Sequence, residues 1–308
     1  MTRWIQRLSQ PKLIVSAAAL VALVVAGAPA KAEAPVSTLD RIVETGTIRI
    51  GYSVDSSPFS FVDTDKNVIG YSIDLCNRVV EKLTDTLGLD EIAVRYVPRT
   101  PSDRVLLVQN GDIDIECVAS TNNADRRKSV GFTFSHFMTA TQFVTLRALG
   151  LRRISDLSGR SVASTSGTIV ISQLNALNRS RSLNLAVVPT PTHEDGFDLM
   201  ATERVSAFVM DGVLLASMVA NAPDPTLFEI SPEPLDAPAP YGFMIRREDI
   251  AFRDAVNAAL AEIYEGPEIA AIYDKWFNAP IPPHGINLRM PMSDALKAAF
   301  AAPVIIGD

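Results

Sequence analysis

The 308-residue chain carries 28 Lys and Arg against 35 Asp and Glu, a formal net charge of −7. That balance excludes a general electrostatic affinity for nucleic acid or an anionic membrane surface, since both need a basic face. No low-complexity segment or short repeat interrupts the chain, and its length suits one large or two medium domains.

Residues 1–32 read as a secretory signal peptide. Arg3, Arg7 and Lys12 form a basic n-region, residues 13–27 an apolar h-region, and Ala30-Lys31-Ala32 a small-x-small cleavage site. Cleavage after Ala32 is favoured over cleavage after Ala30. The apolar run is short for a membrane span and polar sequence follows at once, so the expected product is exported, with no membrane insertion of the mature chain. No cysteine follows the h-region, which points away from a lipid anchor. Cleavage removes Arg3, Arg7, Lys12 and Lys31 and no acid, leaving 24 basic against 35 acidic residues, a net of −11. An anionic ligand then needs a local basic site against an unfavourable overall field.

Residues 47–52 read as a short strand and 55–61, with Pro58, as a loop. A helix opens near residue 70, its apolar positions Leu75, Val79, Val80 and Leu83 recurring at helical spacing, with Ser72 or Asp74 as its cap. Residues 92–97 form a second strand. Residues 103–110 form a second helix with Val105, Leu106 and Val108 inward and Gly111 as its stop. Residues 112–117 form a third strand. After it come the capping residues Ser120-Thr121-Asn122-Asn123, and Arg126 lies about one turn into the next helix. The first amides of a helix lack intrahelical partners, so a strand emptying into a capped helix start offers an anion site. An arginine fork beside it matches a carboxylate in two-pronged fashion. The competing reading is a plain corner with a surface arginine, and Arg127 competes with Arg126 for the role.

The pattern then restarts. Residues 142–146 are extended, 159–163 a strand, 164–168 a loop feeding a helix to about 177, and 185–188 a strand. A helix from about His193 runs to about Glu203, and a strand over 205–210 delivers Asp211 to a helix ending near Val219. Residues 243–245 are extended, and 252–264 and 269–277 are amphipathic helices. Two βαβαβ modules imply two α/β lobes, each a parallel sheet covered on both faces. The expected crossings lie near 142–146 and 240–245, with lobe 1 spanning 33–142 plus 244–308 and lobe 2 spanning 143–243. Such sheets bind ligands at the carboxyl ends of their strands, and a cleft over hinge strands suits ligand-induced closure.

Cys76 and Cys117 are the two cysteines. In an exported protein an even pair suggests one disulfide, and two free buried cysteines stay open until geometry decides. No Ser/His/Asp order, HExxH, P-loop or GxGxxG appears, and His136, His193 and His284 lie far apart with no metal-ligand spacing. Neither an enzyme, a cofactor nor a metal site is expected.

Several motifs in their shared order resemble the family 3 periplasmic solute-binding proteins, over nearly all of the mature chain. They are Gly-Tyr-Ser-Ile-Asp at 70–74, Gln-Asn-Gly at 109–111, Glu-Cys at 116–117 and Thr-Asn-Asn-x-x-Arg at 121–126. Thr-Ser-Gly-Thr at 165–168, Phe-Val-Met-Asp at 208–211, Asp274-Lys-Trp-Phe277 and Pro280-Ile-Pro-Pro283 follow. The nearest likeness is to the branch that captures glutamate and aspartate for an ABC importer. The resemblance implies a type II periplasmic-binding-protein fold and a monomer in the periplasm that hands a small amino acid to an inner-membrane permease. It assigns the ligand α-carboxylate to Arg126, aided by Thr121 and the turn Ser166, Gly167, Thr168. It assigns the α-ammonium to Asp211 and the side-chain carboxylate to Arg104 and His193.

Three positions depart from that pattern. Ser53 stands where close relatives carry a second basic residue, and Pro101 and Ala119 stand where they carry serines. Ser53 can donate one hydrogen bond but brings no charge. Losing a charged hydrogen bond to an anion costs roughly 1.5–3 kcal/mol, about one to two decades in affinity. An amide or other polar amino acid is therefore the alternative ligand class. A dehydratase on the same fold would have to recruit Glu194 or His193 as acid or base. A tethered sensor would need a later hydrophobic span, and none is seen.

Overall fold

Helix α1 (Thr38–Thr45) is capped by the Ser37 hydroxyl and stopped by Gly46 in the left-handed region. Strand β1 (Thr47–Tyr52) follows, then a small antiparallel sheet of β2 (Asp55–Ser56), β3 (Ser60–Val62) and β4 (Val68–Ile69). Helix α2 (Tyr71–Leu87), strand β5 (Ala93–Pro98), helix α3 (Arg104–Asn110), strand β6 (Ile115–Glu116) and the single turn α4 (Ala124–Arg127) come next. The long strand β7 (Val130–Thr139) leads directly into β8 (Thr141–Leu146). Then β9 (Ser161–Thr165), α5 (Val170–Arg181), β10 (Ala186–Thr190), α6 (His193–Ala201), β11 (Ala207–Asp211), α7 (Gly212–Asn221) and β12 (Phe228–Ile230) alternate. Strand β13 (Ala239–Arg246) and helices α8 (Ile250–Glu265), α9 (Glu268–Phe277) and α10 (Asp294–Ala301) complete the order. This computed structural model describes residues 1–2 and 37–307. The n-region, h-region and both cleavage sites of the predicted signal peptide lie outside the described residues. Among the described residues no helix is long and apolar enough to cross a membrane.

The strands form two five-stranded sheets, ordered β5-β1-β6-β13-β7 and β10-β9-β11-β8-β12. The fold is mixed α/β, two lobes joined by two extended crossings. Within each sheet the strands of the βαβαβ unit are parallel, as expected. The sheets are nevertheless mixed rather than purely parallel, because β13 and β8 pair antiparallel with their neighbours. Those are the strands by which the chain enters one sheet and returns to the other. The first crossing is Ala140, between β7 and β8, and the return reaches β13 at Ala239, whose register partner is Thr139. Residues 239–243 thus belong to the first sheet.

Several local expectations need correction. Strand β6 holds only Ile115 and Glu116, because pairing narrows to two residues between β1 and β13. Flanking amides still bond outward, Asp114 N to Arg49 O at 3.0 Å and Cys117 N to Gly51 O at 2.9 Å. Leu106 is 57% exposed rather than inward, since the buried stripe of α3 is Arg104 and Val108, one turn apart. Neither Ser72 nor Asp74 caps α2. The Ser72 hydroxyl donates to Val118 O at 3.0 Å, and Asp74 accepts from Trp276 Nε1 of α9 at 2.7 Å. The cap position is Gly70, at φ 138°, where a Cβ would lie 2.1 Å from Phe59 O. Only glycine satisfies both demands.

Cys76 of α2 and Cys117 after β6 form a disulfide, with Cα atoms 6.3 Å apart. Between α2, α9 and the crossing strands lies an aromatic cluster. Phe59 packs edge-on against Phe137, Tyr241 and Phe277, at 4.9, 5.4 and 5.8 Å between centroids. Such edge-to-face pairs are each worth about 0.5–1.5 kcal/mol beyond their buried area. The cluster fixes Tyr241, which reaches into the site.

Candidate functional site

Residues that follow the parallel strands of both sheets converge on one narrow cavity. Arg99 follows β5, Thr121 follows β6, Thr168 follows β9, His193 follows β10, and Asp211 ends β11. This is where sheets of this kind place their ligands. Helices α3 and α4 add Arg104 and Arg126. Six of the eight candidate residues read from sequence therefore line one space.

Ser53 and Ser166 are not among the lining residues. Ser53 is buried, but its hydroxyl serves the turn after β1, donating to Asp55 Oδ1 at 2.9 Å and accepting from Ser56 Oγ at 2.8 Å. Ser166 supplies a backbone bond, N to Thr190 O at 2.8 Å, that shapes the turn leading to Thr168. The Thr168 hydroxyl donates back to Thr165 O at 2.7 Å. Gly167 between them lies at φ 76°, and a Cβ there would stand 2.4 Å from Pro101 O of the opposite lobe. Glycine is what allows the two lobes to approach so closely.

The helix starts are weaker donors than the sequence suggests. α4 is only four residues long, and the Arg126 amide is already taken by the Asn123 side chain at 2.9 Å. α5 has no side-chain cap. The cationic character of the cavity comes instead from guanidinium groups. Arg126 Nη1 donates to Thr121 O at 2.9 Å. Arg127 bonds Asn122 Oδ1 at 2.8 Å and is not among the lining residues. Arg104 Nη1 donates to Ser120 Oγ at 3.0 Å and Nη2 to Gly167 O at 3.1 Å, while its buried Nε has no protein partner. Burial, followed by the neighbouring Arg126 charge, pulls the Arg104 guanidinium well below its ordinary value. Burial also lowers Arg126. Both therefore gain from an anion between them.

Opposite stands Asp211, buried at the N-cap position of α7 but making no capping bond there. Its Oδ2 accepts from Tyr241 Oη, which arrives from the first sheet. Burial raises its carboxyl above the usual range. A cation brought to it would reverse that shift. His193 starts α6 behind a Thr192 capping box, and its Nδ1 shares a 2.8 Å hydrogen bond with Thr165 Oγ1. Burial lowers it to about 4, so at neutral pH the ring is an uncharged hydrogen-bonding group.

Two lining or supporting residues escape a reading of the sequence alone. Arg99 lies in an unremarkable Pro-Arg-Thr-Pro run, and Tyr241 in the return strand. Arg99 is buried, with its Nε 2.7 Å from Glu116 Oε1. The available signal was position: a residue just past a parallel strand faces the ligand end of the sheet.

Residues 48–279 match the model of the bacterial extracellular solute-binding proteins, family 3. The chain belongs to that family. This solute-binding protein is 38% identical over 291 residues to the L-glutamate/L-aspartate-binding protein of Pseudomonas aeruginosa, covering 94% of this chain and 95% of that one. It is 35% identical to the glutamate/aspartate import solute-binding protein of Escherichia coli (strain K12), covering 93% and 96%. These relatives are solute-binding proteins and not enzymes. Among solved structures, an ancestral arginine-binding protein matches the fold with a TM-score of 0.68 at 24% identity, over 75% of this chain and 98% of that one. An ABC uptake transporter substrate-binding protein from Streptococcus pneumoniae matches with a TM-score of 0.70 at 18% identity, over 80% and 98%.

Proposed function

We propose that this solute-binding protein captures an acidic L-amino acid, glutamate or aspartate, in the periplasm and delivers it to the permease of an ABC importer. The observation that carries the reading is the opposition, in one buried cavity, of Arg126 and Arg104 to the uncapping carboxylate of Asp211. An α-amino acid is a carboxylate and an ammonium on adjacent atoms, and a buried charge needs a charged partner. Arg126 and Thr121 take the α-carboxylate, with the Ser166–Thr168 turn closing on it. Asp211 takes the α-ammonium, its second oxygen already held by Tyr241. Arg104 and the neutral His193 take the side-chain carboxylate. The names of relatives at 35–38% identity agree with an acidic ligand.

The mechanism is cleft closure. Arg126 and Asp211 come from different lobes, so a bound zwitterion bridges them and favours the closed form by its differential contacts. Direct bonds already span the cleft, from Arg104 to Gly167 O and from His193 N to Asp55 Oδ2 at 3.2 Å. Export follows from the signal peptide read at residues 1–32, and the mature chain acts as a monomer. A thermal-shift screen of ligand-stripped protein against the twenty amino acids and small dicarboxylates tests the reading. A ligand at 100 times its dissociation constant adds about 2.7 kcal/mol. Glutamate or aspartate is expected to give the largest shift, and a larger shift with glutamine or asparagine would contradict the acidic assignment.

A further inference from the structure

We propose that Arg99 is a specificity-determining ligand-binding residue, which supplies the cationic partner for the ligand's side-chain carboxylate that Ser53 does not. The inference rests on the amino-acid reading above and concerns the same cavity.

The first observation is register. β1 and β5 are parallel neighbours, with Tyr52 opposite Pro98. The next residues are Ser53 and Arg99, which leave their strands side by side, tied by Arg99 N donating to Tyr52 O at 3.0 Å. A cation moved from the end of β1 to the end of β5 thus shifts by one strand, about 4.8 Å, within reach of a long side chain. Ser53 itself is turned into the local hydroxyl network and offers the cavity nothing.

The second observation is how Arg99 is held. Its side chain is 1% exposed and lines the cavity. Glu116, itself fully buried, sits 2.7 Å from the Nε edge. The buried Nη1 has no hydrogen-bond partner in the protein. Buried guanidinium donors are rarely left unused, because each unmade bond costs desolvation. Glu116 thus meets Arg99 as an ion pair without hydrogen-bond geometry, and both Nε and Nη1 of the guanidinium lack a protein acceptor, beside Arg104 and His193.

The third observation is charge. The buried carboxylates beside Arg99, Arg104 and Arg126 are Asp211 and Glu116, and the partly exposed Asp55 holds the His193 amide at the rim. His193 is neutral and compensates nothing. A ligand with a second carboxylate brings an anion to the buried Arg99 and Arg104, whereas its amide leaves both guanidiniums without that charged partner. Arg99 therefore sets the preference for an acid over its amide.

The test is calorimetric titration with L-glutamate and L-glutamine of the wild type, Arg99→Met and Arg126→Ala. Removing Arg99 strands Glu116, so Arg99→Met/Glu116→Gln is measured beside the single variant, and Arg99→Lys keeps the charge should neither neutral variant fold. The expected result is a loss of about 10–100-fold for glutamate and less than about threefold for glutamine in the neutral variants. Arg99→Lys is expected to keep a preference for glutamate over glutamine, while Arg126→Ala loses both ligands. Equal losses for the two ligands, unchanged glutamate affinity in the neutral variants, or no acid preference in Arg99→Lys would overturn the role of Arg99 alone. A wild type that binds no α-amino acid would overturn the functional reading and this inference with it.

Discussion

Arg104 Nη2 and the Gly167 carbonyl lie 3.1 Å apart across the cleft, one on a helix of the first lobe and the other in a turn of the second. The approach depends on the missing Cβ of Gly167, whose place lies 2.4 Å from Pro101 O. Gly167→Ala is expected to leave both lobes folded but hold them apart. Ligand affinity should fall at least about tenfold, since the overlap with Pro101 O opposes closure by roughly 1–3 kcal/mol, while the αL backbone cost lowers stability and not affinity. Calorimetry reads the affinity and small-angle scattering the opening. Unchanged affinity would mean that ligand capture does not require this contact.

Asp211→Asn keeps the shape of the site and removes its anion. Loss of a charged hydrogen bond predicts a weakening of about 10–100-fold for any α-amino acid. The wild type should also bind more weakly as pH falls, because a protonated Asp211 cannot pair with an ammonium. Burial raises that carboxyl, so the weakening begins at higher pH than for an exposed aspartate. Dissociation constants measured from pH 8 to pH 4 should rise in the wild type with a component absent from Asp211→Asn. Parallel profiles would remove Asp211 from the ammonium site.

Two buried histidines predict acid sensitivity. Burial lowers His193 to about 4 and His136 to about 3. His136 is fully buried and stacked on Phe243, 4.2 Å between centroids. A folded-state value depressed below the unfolded 6.5 means that the unfolded chain binds the proton first. The contribution is whole above about pH 6.5 and is lost as pH falls toward 4. Each histidine adds a slope of about 1.4 kcal/mol per pH unit inside that window. Urea unfolding at half-unit steps should show the decline, and His136→Leu should remove roughly half of it. A wild-type stability flat from pH 6.5 to 4.5 would contradict the burial of both rings as neutral species.

The Cys76–Cys117 bond closes a sequence separation of 41. Chain-entropy estimates put a loop of that length near 4 kcal/mol. Cys76→Ala/Cys117→Ala should lose about that much stability by urea unfolding while keeping glutamate binding below the transition. A loss under about 1 kcal/mol would show that residual structure in the unfolded chain already closes the loop.

The alternation of strands and helices was legible because each has its own apolar period, 2 or 3.6. The antiparallel placement of β8 and β13 was not, since an extended run carries no mark of its partner's direction. Arg104, Arg126, Asp211 and His193 were found through motif resemblance, and the fold brings all four to one cavity. Leu106 was misplaced by one helical position because α3 begins at Arg104, and a short helix gives periodicity few turns to settle its face. Arg99 and Tyr241 were missed for another reason. Their meaning lies in the register of neighbouring strands and in contact between lobes, neither of which a linear spacing encodes. Ser53 was read as a lost charge, and the register of Tyr52 with Pro98 places Arg99 beside it.

Calorimetric titration of ligand-stripped mature protein, wild type and Arg126→Ala, with L-glutamate and L-aspartate tests Arg126 as the carboxylate anchor. One saturable site is expected in the wild type for at least one of them. In Arg126→Ala no measurable binding is expected, with an unchanged circular dichroism spectrum. Near-normal affinity in folded Arg126→Ala, or no binding of either ligand to the wild type, would contradict that role.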